Sequence, residues 1–516
     1  MKNFYQDGPR LTNTYRSDET LQKFLRNFLP VEVQKEALPH LEHLGEKASS
    51  DMLHWAEDAE ANTPQHIPFS PWGKRIDQIK TSTGWQQLEK MAAEEGLVAT
   101  AYKRTHGAFS RVYQMAMLYL YSPSSAFYSC PLAMTDGAAR ALEIFGSDDL
   151  KKRALPHLLS TDPKFFWTAG QWMTERTGGS DVSSTSTEAR LFSGPSDFGA
   201  THELRGTKWF TSATTSQMAL TLARPEGALP GSKGLSLFYL ELRNPNGELN
   251  NIEIHRLKDK LGTKALPTAE LSLQGTPAKL VGSEGDGIKK IASVLNITRI
   301  YNSVCATSHM CRALDLATDY AKRRQAFGKL LIEHPLHQET LRQLEEDFRR
   351  SFVFCMFVAH LQGQDEVGEI SASRRILLRT LTPILKLYTG KKAIEISSEV
   401  LESFGGAGYI EDTGIPRLLR DAQVFSIWEG TTNVLALDML RAFEKEQALP
   451  VLLEYLKNCP AMKNSVTTFS EKWTTLQGLL AHLTSSAPEI WEAQARRLAF
   501  LVADVVTEAL LHEYSL

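Results

Sequence analysis

Cysteine is scarce in this chain: 516 residues hold five, Cys130, Cys305, Cys311, Cys355 and Cys459. The number is odd and no CxxC spacing occurs, which argues against a disulfide framework and against a metal site of the zinc type. A reducing, intracellular setting is the natural expectation. Charge of either sign is not in excess. Net charge is −3, with 57 Lys+Arg against 60 Asp+Glu, so nothing in bulk points to a polyanionic partner. Long apolar runs are missing as well. The stretch Phe352–Leu361 (FVFCMFVAHL) is too short to span a bilayer and reads as a buried helix. The opening residues MKNFYQDGPR contain no apolar core segment, so no secretory signal is expected, while removal of a transit peptide from a longer precursor stays open. There is no internal repeat and no low-complexity tract. What remains is ordinary globular composition, 42% hydrophobic and 23% charged. At roughly 100–200 residues per domain the length suits three or four domains.

The pattern along the chain is α, then β, then α. Residues 1–165 read mostly as helix, with three- and four-residue apolar spacing over Trp85–Tyr121 and Met134–Leu159. Gly146-Ser147-Asp148-Asp149 looks like a stop and restart between two helices. From Phe166 to about Gly282 short alternating runs (HELRGTKWFTS, LSLFYLEL, TAELSLQG) argue for antiparallel strands in a barrel or sandwich. Pro225–Gly234 reads as a surface loop. Helices return after Gly287 at Ile288–Arg323, Leu336–Gln362 and Ile376–Phe404, and suit an antiparallel bundle. The division expected is 1–165 helical, 166–282 β, 283–441 helical bundle, and 442–516 a helical extension.

Four segments carry chemistry, and each also has a bland explanation. In Met173–Val182 (MTERTGGSDV), Gly178 and Gly179 followed by Ser180 let backbone N–H groups approach an anion, with Thr174 and Ser180 as hydroxyl donors; a glycine-rich strand connection reads the same way. In Lys208–Ser212 (KWFTS), Trp209 and Thr211 point to one side of a strand and suit a flat heterocycle, although a buried strand Trp is common. In Tyr320–Leu331 (YAKRRQAFGKLL), Arg324 and Phe327 share a helix face, Gly328 fits a C-cap, and Arg324 suits a phosphate; a solvated basic helix end fits equally. In Phe404–Tyr409 (FGGAGY) and the following IWEGTTN, Gly405 and Gly406 allow close backbone approach. Glu429 follows an apolar run and should be half-buried, which suits a general base; a Glu at a helix N-terminus is the structural alternative.

Taken together and in this order, the four segments resemble the acyl-CoA dehydrogenase superfamily over roughly residues 140–441. GSDDLKKRALPHL and GSEGDGIKKI agree with it. RLKDKLG (Arg256–Gly262), Thr298-Arg299 and SIWEG are most similar to its AidB-like branch. The resemblance implies a mainly α chain with a central β domain: an N-terminal helical domain, a middle β-barrel, a C-terminal four-helix bundle and extra C-terminal helices. It implies an FAD-dependent oxidoreductase acting on a medium- to long-chain fatty acyl-CoA, with FAD extended between β domain and bundle near a subunit interface. An electron-transfer flavoprotein or other acceptor and a homotetramer, a dimer of dimers, come with it.

By the same resemblance Met173, Thr174, Gly179, Ser180, Trp209 and Thr211 meet the cofactor from the β region. Arg324 and Phe327 reach the cofactor of a neighbouring subunit. Gly405, Gly406, Thr431 and Asn433 meet it from the helical region. Glu429 is the catalytic base, and Ser180, Arg299, Glu429 and Gly430 bind substrate. Some relatives carry the base just before the bundle arginine, but that position is Thr298 here. Arg176 stands where the family has proline, and Asn296 where an acid often assists CoA binding. Two other implications are a slow acyl-CoA binder that sequesters ligand and a DNA-associated protective flavoprotein. From Pro450 onward the chain has five Lys/Arg against seven Asp/Glu, which disfavours phosphate contacts and makes DNA an unlikely partner.

Overall fold

The structure is a computed structural model that describes residues 7–516. Its first part holds α1 (Glu19–Phe28), α2 (Val31–Ala48), α3 (Asp51–Ala61), β1 (Gln65–Phe69), β2 (Arg75–Lys80), α4 (Thr83–Glu94), α5 (Ala99–Lys103), α6 (Phe109–Tyr121), α7 (Ser129–Phe145) and α8 (Asp148–Leu158). Strands follow: β3 (Ala169–Trp172), β4 (Glu188–Leu191), β5 (His202–Ser212), β6 (Met218–Pro225), β7 (Ser236–Glu241), β8 (Ile252–Leu257) and β9 (Thr268–Leu280). The last part holds α9 (Gly287–Ala321), β10 (Gln325–Ala326), β11 (Lys329–Leu330), α10 (Pro335–Glu366), α11 (Ala372–Ser403), α12 (Ile415–Phe425), α13 (Thr432–Lys445), α14 (Ala448–Lys457), α15 (Pro460–Lys463), α16 (Thr467–Thr484) and α17 (Pro488–Glu513). No helix among the described residues is long and apolar enough to cross a membrane.

Local chemistry sets several boundaries. Asp18, Ser82, Ser147 and Ser371 are N-caps that accept from the N–H groups of Leu21, Trp85, Leu150 and Arg374. These donors would otherwise be orphaned in the first helical turn. At the stop and restart, the Gly146 N–H donates to the Leu142 carbonyl, Ser147 caps α8, and Asp148 and Asp149 sit at the positive end of its dipole. Helix does not run through all of residues 1–165. Residues 65–80 form the antiparallel hairpin β1–β2, because Pro71-Trp72-Gly73 breaks the chain and Gly73 takes φ 81.

The chain divides into two compact units: Met52–Lys103 with Ser124–Thr298, and Arg104–Pro123 with Arg299–Leu516 and the chain up to Asp51. In the β-containing unit, β6 pairs with β4 and β7, β4 with β5, β5 with β9, and β9 with β7. This cycle closes a barrel, with β3 added beside β6 and β8 beside β9. The β6 pairings with β3 and β4 are parallel, unlike the antiparallel remainder. Alternation sorts the side chains. Ala219, Phe238, Leu240, Leu204 and Leu271 fill one cluster. Leu220, Leu222, Leu237 and Tyr239 face α7 and α8 through Leu142, Leu150 and Leu158.

The other unit is helical. The segment Phe352–Ala359 of α10 is buried throughout, as its apolar run implies. The C-terminal helices pack into the same unit, and α17 contacts α10, α11, α13 and α16. Buried Glu508 of α17 fixes this packing by accepting from Lys472 at 2.8 Å and Thr468 at 2.6 Å.

Candidate active site

In the β-containing unit the first two chemical segments meet. The Trp209 N–H donates to the Thr174 carbonyl at 3.0 Å. One residue on, Glu175 accepts from the buried Lys208 ammonium at 2.8 Å and from the N–H and hydroxyl groups of Ser186 and Thr187. Burial pushes the Glu175 carboxyl up, but the Lys208 charge and these donors outweigh it and bring it down to about 2. This pair nails the glycine-rich loop to β5. Gly179 is needed there, because a Cβ would sit 2.7 Å from the Thr174 hydroxyl oxygen. Gly179 and Ser180 are exposed, Thr174 is half-buried, and Met173 is buried in the apolar cluster.

Trp209 is half-buried, with the Lys258 ammonium 3.8 Å from its ring centroid and the Arg176 guanidinium 5.7 Å away. The same ammonium lies 4.6 Å from the Phe210 ring. Neighbours on a regular strand point to opposite faces, but β5 carries an extra residue between Lys208 and Thr211. Simple alternation therefore does not hold strictly across Trp209 and Phe210. Thr211 is fully buried and its hydroxyl donates to the Ala269 carbonyl at 2.8 Å, leaving oxygen lone pairs as acceptors.

In the helical unit Glu429 lies in the turn between α12 and α13, not in a helix. It is half-buried, and its φ of 58° is left-handed. For a residue with a Cβ that conformation costs about 1–2 kcal/mol. Three side chains hold the turn by its carbonyls. Asn302 of α9 donates to the Phe425 carbonyl at 3.0 Å, Arg299 of α9 to that of Glu429 at 3.2 Å, and Lys386 of α11 to that of Gly430 at 2.6 Å. Arg299 is also paired with Asp438 of α13 at 2.9 Å, which pairs in turn with Arg379 of α11 at 2.7 Å. Gly430 follows at φ 107°, and a Cβ there would lie 3.1 Å from Leu435. Thr298 is buried and donates to main-chain carbonyls of its own helix.

Gly405 and Gly406 open a short 3-10 turn, Gly405–Tyr409, and a Cβ on either would meet nothing within 4 Å. Gly408, which sequence reading left aside, is a packing glycine: its Cβ would fall 1.9 Å from the Leu401 carbonyl oxygen. Thr431 is the N-cap of α13 without a side-chain cap bond, and both Thr431 and Asn433 are exposed. The reading of Tyr320–Leu331 is corrected. Helix α9 ends at Ala321, so Arg324 and Phe327 share no helix face. Phe327 and Gly328, at φ 51° and 78°, form the tight turn of the β10–β11 hairpin, and Gly328 is no C-cap. A positive φ at both central residues is the signature of a type I′ turn. Arg324 is exposed and Phe327 is 98% exposed.

Comparison with known proteins bears on this arrangement. Residues 170–276 match the family model of the acyl-CoA dehydrogenase middle domain, and residues 285–443 that of the acyl-CoA dehydrogenase C-terminal domain. Residues 9–163 match the adaptive response protein AidB N-terminal domain. Acyl-CoA dehydrogenase family member 11 of Caenorhabditis elegans is 41% identical over 534 residues, spanning 99% of this chain and 86% of the relative. The chain belongs to the acyl-CoA dehydrogenase family. It is thus an oxidoreductase, an acyl-CoA dehydrogenase related to the AidB-like proteins. Among solved structures, the apo form of Bd2924 superposes with TM-score 0.96 at 69% identity over all of both chains. The Caenorhabditis elegans ACDH-11 complex with C11-CoA superposes with TM-score 0.95 at 41% identity, covering 100% of this chain and 90% of that one.

Within this acyl-CoA dehydrogenase, Asn302, Lys386, Asp438 and Lys258 were not among the residues singled out from sequence. The available signal was weak. Lys386 interrupts the apolar run LTPIL-K-LY, where a charge needs a partner if it is buried.

Proposed function

We propose that this chain oxidises a medium- to long-chain fatty acyl-CoA between Cα and Cβ, with Glu429 as the base that takes the α-proton. The observation that carries this reading is the half-buried Glu429 in a left-handed turn held by three buried donors on its carbonyls. FAD, when bound, supplies the acceptor for the β-hydride. The residues present suit it. Gly405 and Gly406 have open space beside their Cα atoms, Gly179 and Ser180 are exposed, and Thr431 and Asn433 stand at the N-terminus of α13, which favours negative charge. Met173, Thr174, Trp209 and Thr211 would hold the cofactor from the β-containing unit, and Arg324 and Phe327 of the exposed hairpin would reach that of a second copy in a homotetramer. The backbone N–H of Glu429 is a donor for the thioester oxygen, a kind of contact that contributes about 3–4 kcal/mol. Ser180, Arg299 and Gly430 complete the substrate site, Arg299 through the Glu429 carbonyl. The C11-CoA bound to ACDH-11 supports the chain length. An electron-transfer flavoprotein or another acceptor reoxidises the enzyme.

Anaerobic mixing of the flavoprotein with acyl-CoAs of graded length tests this reading. Rapid bleaching is expected for medium and long chains. Glu429→Gln should keep FAD and acyl-CoA binding and lose bleaching by at least about 10³-fold. Bleaching at the wild-type rate in that variant would refute the assignment, and tight binding without bleaching in the wild type would favour sequestration over turnover.

A further inference from the structure

The turn that carries Glu429 is gripped by a lysine in an unusual setting. Lys386 is fully buried on α11. A buried ammonium is costly unless paired, and the hydrogen bond seen for its side chain among the described residues goes to the neutral Gly430 carbonyl, at 2.6 Å. Burial pushes its ammonium down to about 7, with the Glu429 carboxylate opposing that shift and Arg299 and Lys391 adding to it. A residue kept only for packing would do better without the charge. A residue that both holds a main-chain carbonyl and places positive charge beside a carboxylate needs it.

We propose that Lys386 is a positioning residue for Glu429, its buried ammonium holding the Gly430 carbonyl and so fixing both the left-handed turn and the electrostatic setting of the carboxylate. This rests on the reading of Glu429 as the base. The mechanics follow from the spacing. Arg299 and Lys386 take consecutive carbonyls, those of Glu429 and Gly430, from two different helices. The Glu429–Gly430 peptide then cannot rotate without breaking the Arg299 bond, nor the Gly430–Thr431 peptide without breaking the Lys386 bond, and together they fix the backbone that carries the Glu429 side chain. Acidic groups on three helices packed against α11 act on other partners. Asp438 of α13 is taken by Arg299 and Arg379. Asp347 of α10 pairs with Lys392, and Asp504 of α17 faces Tyr388. Glu429 is the one acidic group among the charges that act on Lys386.

Lys386→Met removes donor and charge, and Lys386→Gln keeps a donor and removes the charge. With the holoenzyme and a saturating medium-chain acyl-CoA, Lys386→Met should bleach about 10–100-fold more slowly, because a misplacement near 1 Å costs that much. Acyl-CoA affinity and FAD content should change little. In both variants the acid limb of the bleaching rate should move to higher pH by about one unit, because losing a neighbouring positive charge makes a carboxylate harder to ionise. A purely structural lysine would not move that limb. If Lys386→Met does not yield folded flavoprotein, Lys386→Gln carries the test through its pH profile. Bleaching within twofold of wild type with an unmoved acid limb would overturn the proposal. The underlying reading is checked separately: wild type that fails to bleach, or Glu429→Gln that bleaches normally, would overturn the base assignment itself.

Discussion

Two glutamates in this molecule each lie beside a buried lysine, and they are held in opposite ways. Glu175 in the β-containing unit is bound through its carboxylate, by Lys208 and by the donors of Ser186 and Thr187, and is held near 2. A group that acidic is ionised at every ordinary pH and takes no proton, so it serves as a rivet between loop and strand. Glu429 in the helical unit is gripped through its main chain, where Arg299 and Lys386 hold the carbonyls of the turn. Charge against charge fixes a loop. Charge against a peptide dipole fixes the direction of the backbone.

The comparison breaks most sharply at Lys208. Lys208→Met leaves the Glu175 carboxylate buried without its cation and should lower unfolding free energy by about 3–5 kcal/mol, read by urea unfolding of the holoenzyme. Glu429→Gln, equally conservative, should leave the unfolding midpoint nearly unmoved while removing bleaching. If the two stability losses are equal, the distinction between rivet and base fails.

Acid titration separates the two next. The Glu175 carboxyl is depressed from 4.5 to about 2, so the stability it contributes is full above pH 4.5 and is lost as pH falls toward 2. Glu175→Gln should flatten that part of the stability profile, measured by thermal unfolding between pH 2.5 and 6. A profile parallel to that of wild type would show that the pair contributes nothing to acid sensitivity.

Asp438 offers a smaller perturbation of the second grip. It takes Arg299 on one oxygen and Arg379 on the other, and the two arginines hold its carboxyl low against the opposing effect of burial. Asp438→Asn should loosen Arg299 and slow bleaching by about tenfold, equivalent to about 1.4 kcal/mol, with a modest fall in melting temperature. A normal rate would mean that Arg299 needs no backing from α13. The smallest effect is expected at the hairpin tip. Phe327→Ala removes a ring that is 98% exposed and should change the stability of the isolated chain by less than about 0.5 kcal/mol. Reduced FAD retention or weakened association, followed by sedimentation, is the outcome expected if this ring reaches a second copy.

Much of this arrangement was legible from residues alone where the determinant is local. Gly146-Ser147-Asp148-Asp149 marked a helix junction because capping is decided within four residues. The alternation in LSLFYLEL sorted β7 between two apolar clusters. The segment IWEGTTN marked a half-buried glutamate, and Glu429 is one. The local code was ambiguous at Gly328, because a helix C-cap and a type I′ hairpin both demand a positive φ, and the outcome depends on where α9 ends. It was silent on the bulge in β5, which is fixed by the register of β9.

The sequence by itself determined the α, β, α order and the junction capped by Ser147, since each follows from side-chain period and backbone preference over a few residues. Only the tertiary structure decided which donors grip the turn at Glu429. Arg299 reaches it across 130 positions and Lys386 reaches Gly430 across 44. No periodicity links residues that far apart, so a lysine that interrupts an apolar run declares its purpose only when the helices are packed.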